Sequence, residues 1–546
     1  MEEERGIPGG RPAADADATL VRALRWTDAF WIASGVPALL VFSIGFVALL
    51  VGPVSGLVWI LSVLIGLGLA FTYAELAGMF PEKSGGPPVF GAQAWKRYFP
   101  AIAPLNIWAY WFGWSAVQAT GVLLMGQYIQ RRWAPGQTWS LDWSPTTELG
   151  IHVNFAYVVG AAILVGLFWL NRFGIRQSAW TQRVLAVTSL VPLALLFVVP
   201  IFQGKLDLAL LDPFGVPGHA WWSWATFKLI CAGLFIAGWS AYGFETAVAY
   251  TAEFRNPQRD APRAIFAAGG LCLFFYGVGP FVLYSVVGGD QIREDPATAL
   301  VPLANSVFGP AGGLLIGLLL VALLLSVNTA VLGCARTLYQ ASKDGWTFRF
   351  LQGVSRNGVP AHAMAFAVGF NLILMLLGNV NSIIAAAAIG YVTFHTLNPV
   401  TGYLLRKDAA GAERPYRAPA AMIRLGVALA AVNLVLVFVG APSWGWSSVA
   451  LGWLIVLAGI PIYYYRRWRD GLLPARRSVE IDPLGADGRW ARFEPMLAYV
   501  VATGGVLTVA AWKGWGWAYV IGLLLAAGWA LGFLVSRNRR ARWFGW

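Results

Sequence analysis

Charged residues are scarce in this sequence. Only 12% of its 546 residues are Asp, Glu, Lys or Arg, whereas 58% are hydrophobic, and the mean hydropathy is +0.62. Soluble domains carry roughly 25% charged residues, so a chain of several water-soluble domains is excluded. The apolar residues are concentrated in long runs such as 57–70, 311–325 and 521–535, and helices of this kind can cross a hydrocarbon layer of about 30 Å. The sequence therefore predicts an all-α polytopic membrane protein.

Cysteine and histidine are also rare. The three cysteines lie inside apolar runs without a CxxC pair, and the four histidines are scattered, so the sequence predicts no metal site, disulfide framework or cofactor. It contains no GxxxxGK[ST] phosphate-binding loop, which excludes an ATP-driven pump of that class. The net charge of +13 comes from Lys and Arg at the ends of apolar runs rather than from one basic domain, so nucleic-acid binding is not expected.

Fourteen segments are apolar and long enough to be membrane spans. They are 27–48, 54–79, 101–129, 152–170, 178–202, 225–253, 263–287, 311–340, 361–378, 383–404, 421–440, 447–465, 496–512 and 515–535. The segment 1–20 is expected to be a disordered cytoplasmic tail. The segment 471–494 is expected to be a cytoplasmic loop, and 495–546 to hold the last two spans and a basic tail.

The basic residues predict the orientation of these spans. With the N-terminus placed in the cytoplasm, 33 of the 39 Lys and Arg residues fall in cytoplasmic segments, as the positive-inside rule requires. Tryptophans cluster at the opposite ends of the spans, for example Trp133, Trp139 and Trp143, where interfacial anchors are expected. The sequence therefore predicts a multi-pass protein of the cell (plasma or inner) membrane with both termini in the cytoplasm.

Two spans contain helix-breaking residues at mid-depth. Glycine permits non-helical torsions and proline removes a backbone hydrogen bond, and the freed backbone groups are costly in lipid unless they line a polar cavity. Two discontinuous helices five spans apart indicate an inverted-repeat transporter with its substrate near the midplane. The candidate substrate contacts in the two breaks are Ser34, Gly35, Val36 and Pro37 in the first span and Gly238, Trp239, Ser240, Tyr242 and Gly243 in the sixth.

Further polar residues lie inside the spans. Trp114 and Gln118 share one face of the third span, and such a glutamine needs a polar partner, either a substrate or another helix. A carboxylate at mid-bilayer is costly, so Glu245 is expected either to carry a proton or to bridge helices. The neighbours Ser326, Asn328 and Thr329 either face an ion or make ordinary helix contacts. Together with Glu245 they are the candidates for coupling to H+ or Na+.

Several segments resemble a known family, the amino acid-polyamine-organocation (APC) superfamily of permeases. The motifs that carry this resemblance are at 73–86, 170–176, 243–245, 253–264, 335–345 and 414–419, and the likeness covers about residues 20–470. It implies a LeuT-type fold in which spans 1–5 (21–205) and spans 6–10 (206–408) are inverted repeats. Spans 11–12 (409–470) and 13–14 would then be peripheral.

The resemblance also implies where a substrate binds. The break in the first span would hold the carboxylate of an amino acid, and carbonyls of the sixth span would hold its amine, in keeping with the charge at helix ends. Relatives usually carry a Gly-x-x-Ile-Gly-x-Gly run in the first span, whereas this sequence has one glycine and a proline at 35–42, which removes one amide donor. Some sodium-independent relatives place a lysine in the fifth span, and the matching region here, 186–192, contains no amine.

The sequence thus predicts a secondary transporter of amino acids rather than an enzyme. The alternatives are a transporter of polyamines or other amine-bearing metabolites, a substrate exchanger, and a sensor on a permease fold. A neutral, hydrophobic or aromatic substrate is expected because Trp114, Trp239, Tyr242, Val36 and Leu39 offer apolar surface. Glu245 lies six residues beyond Trp239, about 1.7 helical turns, and is therefore expected to point away from that surface. Trp239 is expected to face the 35–37 break, with Tyr242 sharing its role.

Overall fold

The helices follow the predicted spans. The computed structural model describes residues 20, 22–96, 98, 100–143, 150–173 and 175–471. The predicted tail at 1–19, the two last predicted spans and most of the loop before them lie outside the described residues. Between 27 and 465, each of the twelve predicted spans coincides with a helical segment.

The α-helices of the described chain are α1 (Trp26–Ala33), α2 (Gly35–Ala38), α3 (Leu40–Val51), α4 (Ser55–Met79), α5 (Pro87–Trp95), α6 (Ile102–Trp133), α7 (Phe155–Asn171), α8 (Ile175–Phe202), α9 (Trp224–Ala241), α10 (Pro257–Glu294), α11 (Leu300–Phe308), α12 (Gly312–Lys343), α13 (Ala361–Leu374), α14 (Val380–Leu397), α15 (Val400–Asp408), α16 (Ala420–Val435), α17 (Trp446–Leu457) and α18 (Gly459–Arg469). A 3-10 helical segment, Gly243–Glu253, follows α9. Eight stretches of the described residues are long and apolar enough to cross a membrane, and the first of them, Trp26–Met79, contains the first two predicted spans. The count of fourteen stays a prediction.

One segment departs from the all-α expectation. Strands β1 (Ser140–Trp143) and β2 (Ile151–Asn154) form an antiparallel hairpin in which Ser140 is paired with Asn154 and Trp143 with Ile151. The predicted fourth span began at residue 152, but the strand occupies that position, and α7 begins only at Phe155. The Asn154 side chain accepts a hydrogen bond from the Tyr157 amide at 2.9 Å and so caps the helix.

The two predicted breaks are present, but they are shallow. The first span is divided at Ser34 (φ −66°, ψ −6°) and at Leu39 (φ −61°, ψ −20°), and the sixth at Tyr242 (φ −81°, ψ −11°). These torsions remain in the right-handed region. The first span resumes as α-helix after each of its two breaks, whereas the sixth continues as the 3-10 segment. Gly35 and Pro37, the expected helix-breaking residues, themselves lie in α2, and the interruptions fall on either side of them at Ser34 and Leu39.

The buried core surrounds α6. This helix packs against α7, α12 and α14, while α4 packs against α9, α10 and α16. The chain before α1 is tied to the end of the 3-10 segment: the amides of Ala23 and Leu24 both donate to the Glu253 carbonyl at 2.9 Å, and Leu24 forms a parallel bridge with Phe254. The two interrupted helices are thus joined at one end.

Candidate functional site

Residues from both breaks meet at one turn of α6. A Cβ atom added at Gly243 would lie 3.0 Å from Trp114 Cζ2 and 3.1 Å from Val36 Cγ1. The Trp114 ring and the Val36 side chain therefore both pack against Gly243, and a larger residue there would have to displace one of them slightly. Three of the residues predicted to contact a substrate are in direct proximity.

Trp239 is held at the same turn of α6. Its indole Nε1 donates to the Gly113 carbonyl at 2.9 Å, and its ring meets the edge of Phe42 with the centroids 6.2 Å apart. Tyr391 of α14 reaches the same place, because a Cβ atom on Gly113 would lie 2.6 Å from Tyr391 Cβ. The turn at 113–114 is thus contacted by α9, the 3-10 segment and α14.

Glu245 belongs to this site. Its Oε1 accepts hydrogen bonds from Trp114 Nε1 at 3.0 Å and from the Tyr391 hydroxyl at 2.5 Å, and the side chain is fully buried. We call Trp114, Glu245 and Tyr391 the acid cluster. The expectation that Glu245 points away from the apolar wall is wrong, because the chain after Tyr242 is a 3-10 helix with about three residues per turn, not 3.6.

The second carboxylate oxygen of Glu245 is open. Within the described residues Oε2 accepts no hydrogen bond, although the Tyr110 hydroxyl lies close to the carboxylate, and no Lys or Arg of this part of the chain forms an ion pair with it. The other two embedded acids are paired: Glu253 with Arg336, and Glu75 with Arg406 at 2.9 Å. Of these three embedded acids, Glu245 is the one without an ion pair in the described part of the chain.

Gln118 is one turn from Trp114 on α6. Its side chain is fully buried, and neither its amide nitrogen nor its oxygen has a hydrogen-bond partner among the described residues. The Cys334 thiol lies beside it, but a thiol is a weak partner. A buried amide without partners costs free energy, so this side chain has both a donor and an acceptor to offer a ligand.

Tyr242 and Ser240 point elsewhere. The Tyr242 hydroxyl donates to Asn433 Oδ1 at 3.2 Å, and its ring covers Gly238 and meets the edge of His395 at 4.9 Å. The Ser240 hydroxyl bonds to that of Ser43 at 2.7 Å. Tyr242 thus contacts other residues than Trp239 does, and its sharing of the role of Trp239 stays a prediction.

The carbonyls of the first break are bonded to side chains of other helices. The Gly35 carbonyl accepts from the Ser326 hydroxyl at 2.8 Å, and the Ile32 carbonyl accepts from the Thr329 hydroxyl at 2.8 Å. The Val36 carbonyl accepts from the Tyr276 hydroxyl at 2.7 Å. The predicted coupling residues of α12 thus hold the backbone of the first break, and they lie in a separate cluster from Glu245.

Two residues that the sequence reasoning missed complete that second cluster. Gln182 Nε2 donates to the carbonyls of Ile32 at 3.2 Å and Leu325 at 3.0 Å and to the Thr329 hydroxyl, while Gln182 Oε1 accepts from Asn328 Nδ2 at 2.6 Å. Asn171 Nδ2 donates to Asn328 Oδ1 at 2.6 Å. We call Asn171, Gln182, Asn328 and Thr329 the amide cluster; all four are fully buried.

The sequence held a signal for Gln182. The region that matches the lysine of some relatives is 186–192, whereas Gln182, which bonds the first break, lies one turn earlier. Gln182 follows the same logic as Gln118, because a glutamine within an apolar span requires polar partners.

A cavity of about 450 Å³ lies under the hairpin, on the predicted outer side. It is lined by Phe46, Gln127, Asn379, and the hairpin residues Asp142, His152 and Asn154, among others. His152 Nδ1 is 2.6 Å from Asp142 Oδ1, and the Ser140 hydroxyl donates to the same oxygen at 2.7 Å. These bonds, that of His152 first, hold the pKa of Asp142 below its usual value of 3.8.

Comparisons with known proteins cover most of the chain. A family model described as amino acid permease matches residues 24–465. An uncharacterized transporter of Mycobacterium tuberculosis is 27% identical over 73% of this chain and 80% of its own length. The lysine-specific permease of Lactococcus lactis is 23% identical over 73% and 77% of the two chains, and the serine/threonine exchanger of Bacillus subtilis is 24% identical over 74% and 87%. The matched range contains both clusters.

Proposed function

Because this chain belongs to the amino acid permease family of the APC superfamily, we propose that it is a secondary transporter that carries amino acids across the cell membrane by alternating access. The observation that carries the proposal is the meeting of the two interrupted helices at Gly113 and Trp114, beside a buried acid with an open oxygen. Interrupted helices that meet at mid-membrane are the usual construction of a substrate site in such transporters.

The fold proposed for this function is the 5+5 inverted repeat, with 21–205 as the first unit and 206–408 as the second. The support is positional: the first helix of each unit is bent, at Ser34 and Leu39 in one and at Tyr242 in the other. In this arrangement the remaining helices pack outside the repeats, and both termini are in the cytoplasm.

The substrate site lies around the acid cluster and Gln118. The open amide of Gln118 and the open Oε2 of Glu245 supply polar contacts, and Val36, Trp114 and Trp239 supply the apolar wall. Since most of this wall is apolar and aromatic, a neutral hydrophobic or aromatic amino acid is the first candidate. The remaining predicted contacts, Ser34, Pro37, Gly238, Ser240 and Tyr242, act by shaping the bends.

A cationic amino acid is the second candidate, and the position of Glu245 favours it. The carboxylate lies against Trp114 rather than away from it, and aromatic faces add attraction for a cation, up to about 2 kcal/mol when desolvated. Among the relatives, one is named as a lysine-specific permease and another as a serine/threonine exchanger, so the family accommodates both charged and neutral side chains.

The proposed coupling ion is H+, carried by Glu245. Burial without a basic partner favours the protonated form of a carboxyl group, so such a group can carry a proton through the transport cycle. A sodium site in the amide cluster would need the carbonyls of Ile32 and Leu325 as ligands, but Gln182 already donates to both. Uptake is therefore expected to respond to pH and not to sodium.

The test is counterflow of a labelled amino acid in proteoliposomes made with the full chain. Unlabelled leucine, phenylalanine, tryptophan, lysine, arginine and putrescine compete in parallel, with sodium and pH varied. Stronger competition by the first three supports the neutral candidate, and stronger competition by lysine or arginine supports the cationic one. Competition by putrescine alone points to the polyamine alternative. Binding without counterflow of any of them points to a sensor and overturns the proposal.

A further inference from the structure

The hairpin between α6 and α7 is amphipathic. Successive side chains of a strand point to opposite faces and directly paired residues share a face, so the register divides the strand residues into two sets of four. The first set is polar and consists of Ser140, Asp142, His152 and Asn154. The second set is apolar and consists of Leu141, Trp143, Ile151 and Val153. We call these sets the polar face and the apolar face of the hairpin.

The polar face is turned towards the protein. All four of its residues line the cavity under the hairpin, together with residues of α3, α6 and the start of α14. His152 packs on the turn before α14, because a Cβ atom added at Gly378 would lie 2.9 Å from His152 Cβ. The apolar face is consequently turned away from the protein.

Much of the apolar face is exposed. The exposed fractions of Leu141, Trp143 and Ile151 are 70%, 64% and 40%, and Val153 is half-buried. Large apolar side chains grouped in this way are unfavourable in water. Because a two-stranded hairpin by itself is only marginally stable in water, an apolar environment for this face would stabilise it.

The position of α7 indicates which environment this is. The helix coincides with the predicted fourth span, and its 17 residues make it ~25 Å long at ~1.5 Å per residue, close to the ~30 Å of hydrocarbon in a bilayer. Its first residue, Phe155, therefore lies near one edge of the hydrocarbon. β2 ends at Asn154, so the hairpin is joined to α7 at the level of the lipid headgroups.

The exposed apolar residues of α7 form a stripe that starts beside the hairpin. They lie on one side of the helix, opposite the buried residues Gly160, Leu164 and Leu167. The stripe consists of Val158, Ala162, Val165 and Trp169. In a membrane span such a stripe faces lipid. Since it begins within the first turn of α7, the exposed apolar surface continues from the span to the hairpin.

We propose that the apolar face of the hairpin binds phospholipid of the leaflet on the predicted outer side, where the headgroups meet the acyl chains. Tryptophan is enriched at that depth, and Trp133 at the end of α6 and Trp139 just before β1 are exposed as well. Leu141 and Ile151 contact acyl chains, and Trp143 lies among the glycerol groups. The bilayer thus covers one face of the hairpin, and the cavity lies against the other. This binding surface does not depend on the transport function.

The test places a fluorescent bimane label on either face of β1, in the full chain reconstituted into vesicles of phosphatidylcholine. Leu141→Cys reports on the apolar face, and Ser140→Cys, one residue away on the polar face, is the matched control. The three native cysteines are buried, so the unsubstituted chain gives the background. One quencher is a phosphatidylcholine with a nitroxide near the top of an acyl chain, and the other is iodide in the water.

Lipid quenching in Leu141→Cys is expected to exceed that in Ser140→Cys at least about threefold, and iodide quenching is expected to show the reverse order. Equal lipid quenching in the two variants, or iodide quenching as strong in Leu141→Cys as in Ser140→Cys, would place the apolar face in water and overturn the proposal. Weak quenching of Leu141→Cys by both reagents would also overturn it. Energy transfer between labelled copies would in that case assign the face to a second copy of the chain.

A second measurement covers the case in which the label disturbs the hairpin. The unsubstituted chain is irradiated in vesicles that contain a phosphatidylcholine with a diazirine near the top of an acyl chain, and the adducts are mapped by mass spectrometry. Adducts are expected on Leu141, Trp143 and Ile151 but not on Asp142. The exposed stripe of α7 is the positive control, and adducts there without any on the hairpin would overturn the proposal.

Discussion

The acid cluster and the amide cluster are equally buried but differ in charge and in how their polar groups are satisfied. In the amide cluster, Gln182 and Asn328 bond each other, while the other end of Gln182 bonds the first break and that of Asn328 bonds Asn171. Only the Asn171 oxygen lacks a partner among the described residues of this cluster. In the acid cluster, Glu245 bonds Trp114 and Tyr391 through one oxygen and leaves the other open. Neutral groups that satisfy each other hold helices together, whereas a buried charge with an open position responds to a ligand or a proton.

The consecutive residues Gly35 and Val36 connect the two clusters. The Gly35 carbonyl is bonded by Ser326 next to the amide cluster, and the Val36 side chain packs against Gly243, which also contacts Trp114 of the acid cluster. The first break is therefore fixed on one face and faces the proposed site on the other. Three predictions test this division, and a fourth extends the comparison to the exposed hairpin, from the largest expected effect to the smallest.

Glu245→Gln should have the largest effect. The amide retains the shape of the side chain but neither ionises nor carries a coupling proton, so proton-driven uptake is expected to fall by at least about tenfold, equivalent to about 1.4 kcal/mol. The melting temperature should stay the same or rise, because a buried charge is removed. Asp290→Asn, at an exposed acid of α10, is the control. Normal uptake in Glu245→Gln would mean that the acid cluster, like the amide cluster, has only a structural role.

Gly35→Ala should disrupt the contact between the first break and α12. The new Cβ would collide with the Thr329 hydroxyl and lie 2.9 Å from the Leu325 carbonyl, and overpacking of this kind typically costs about 1–3 kcal/mol. The control is Gly166→Ala in α7, where nothing lies within 4 Å of the added atom. Thermal unfolding in detergent should separate the two variants, with a lower melting temperature for Gly35→Ala alone. Equal melting temperatures would mean that the first break is not fixed here.

Gln182→Leu should reduce stability more than transport. The change removes bonds to the Ile32 and Leu325 carbonyls and leaves Asn328 without its acceptor. Hydrogen bonds between membrane helices average about 0.6 kcal/mol, so a loss of about 1–2 kcal/mol is expected. Gln203→Leu, at an exposed residue after α8, is the control. The KM for uptake should be unchanged, and a large rise in KM without a change in melting temperature would place Gln182 in the substrate site instead.

The smallest effect on stability is expected at the solvent-exposed pair of His152 and Asp142 in the hairpin. His152 and Ser140 hold the pKa of Asp142 below its usual value, so the stability that the carboxylate gives the hairpin is present above that value and is lost as pH falls through the lowered pKa. Hydrogen exchange of the paired strand amides, corrected for its intrinsic pH dependence, should therefore rise at acidic pH. Asp142→Asn should remove this rise in exchange at acidic pH. A rise that persists in Asp142→Asn would assign the hairpin's pH response to another group.

Much of the fold could be predicted from the sequence because long apolar runs and breaks are local properties. The helices at the twelve predicted spans between 27 and 465 and the breaks near Gly35 and Tyr242 follow from such patterns. The direction of Glu245 does not, because it depends on the tighter 3-10 winding after Tyr242. Neither does the partnership of Gln182 with Asn328, which joins residues far apart in the sequence.

The pairing of Leu24 with Phe254 has a mechanical consequence. The amides of Ala23 and Leu24 donate to the Glu253 carbonyl, so the start of α1 is attached to the end of the 3-10 segment. Each of the two has its break at the opposite end, at Ser34 and at Tyr242. A displacement of α1 is therefore expected to displace the 3-10 segment, and the reverse. We expect α1 and the 3-10 segment to tilt together about the breaks at Ser34 and Tyr242, because their bonded ends keep them at a fixed separation.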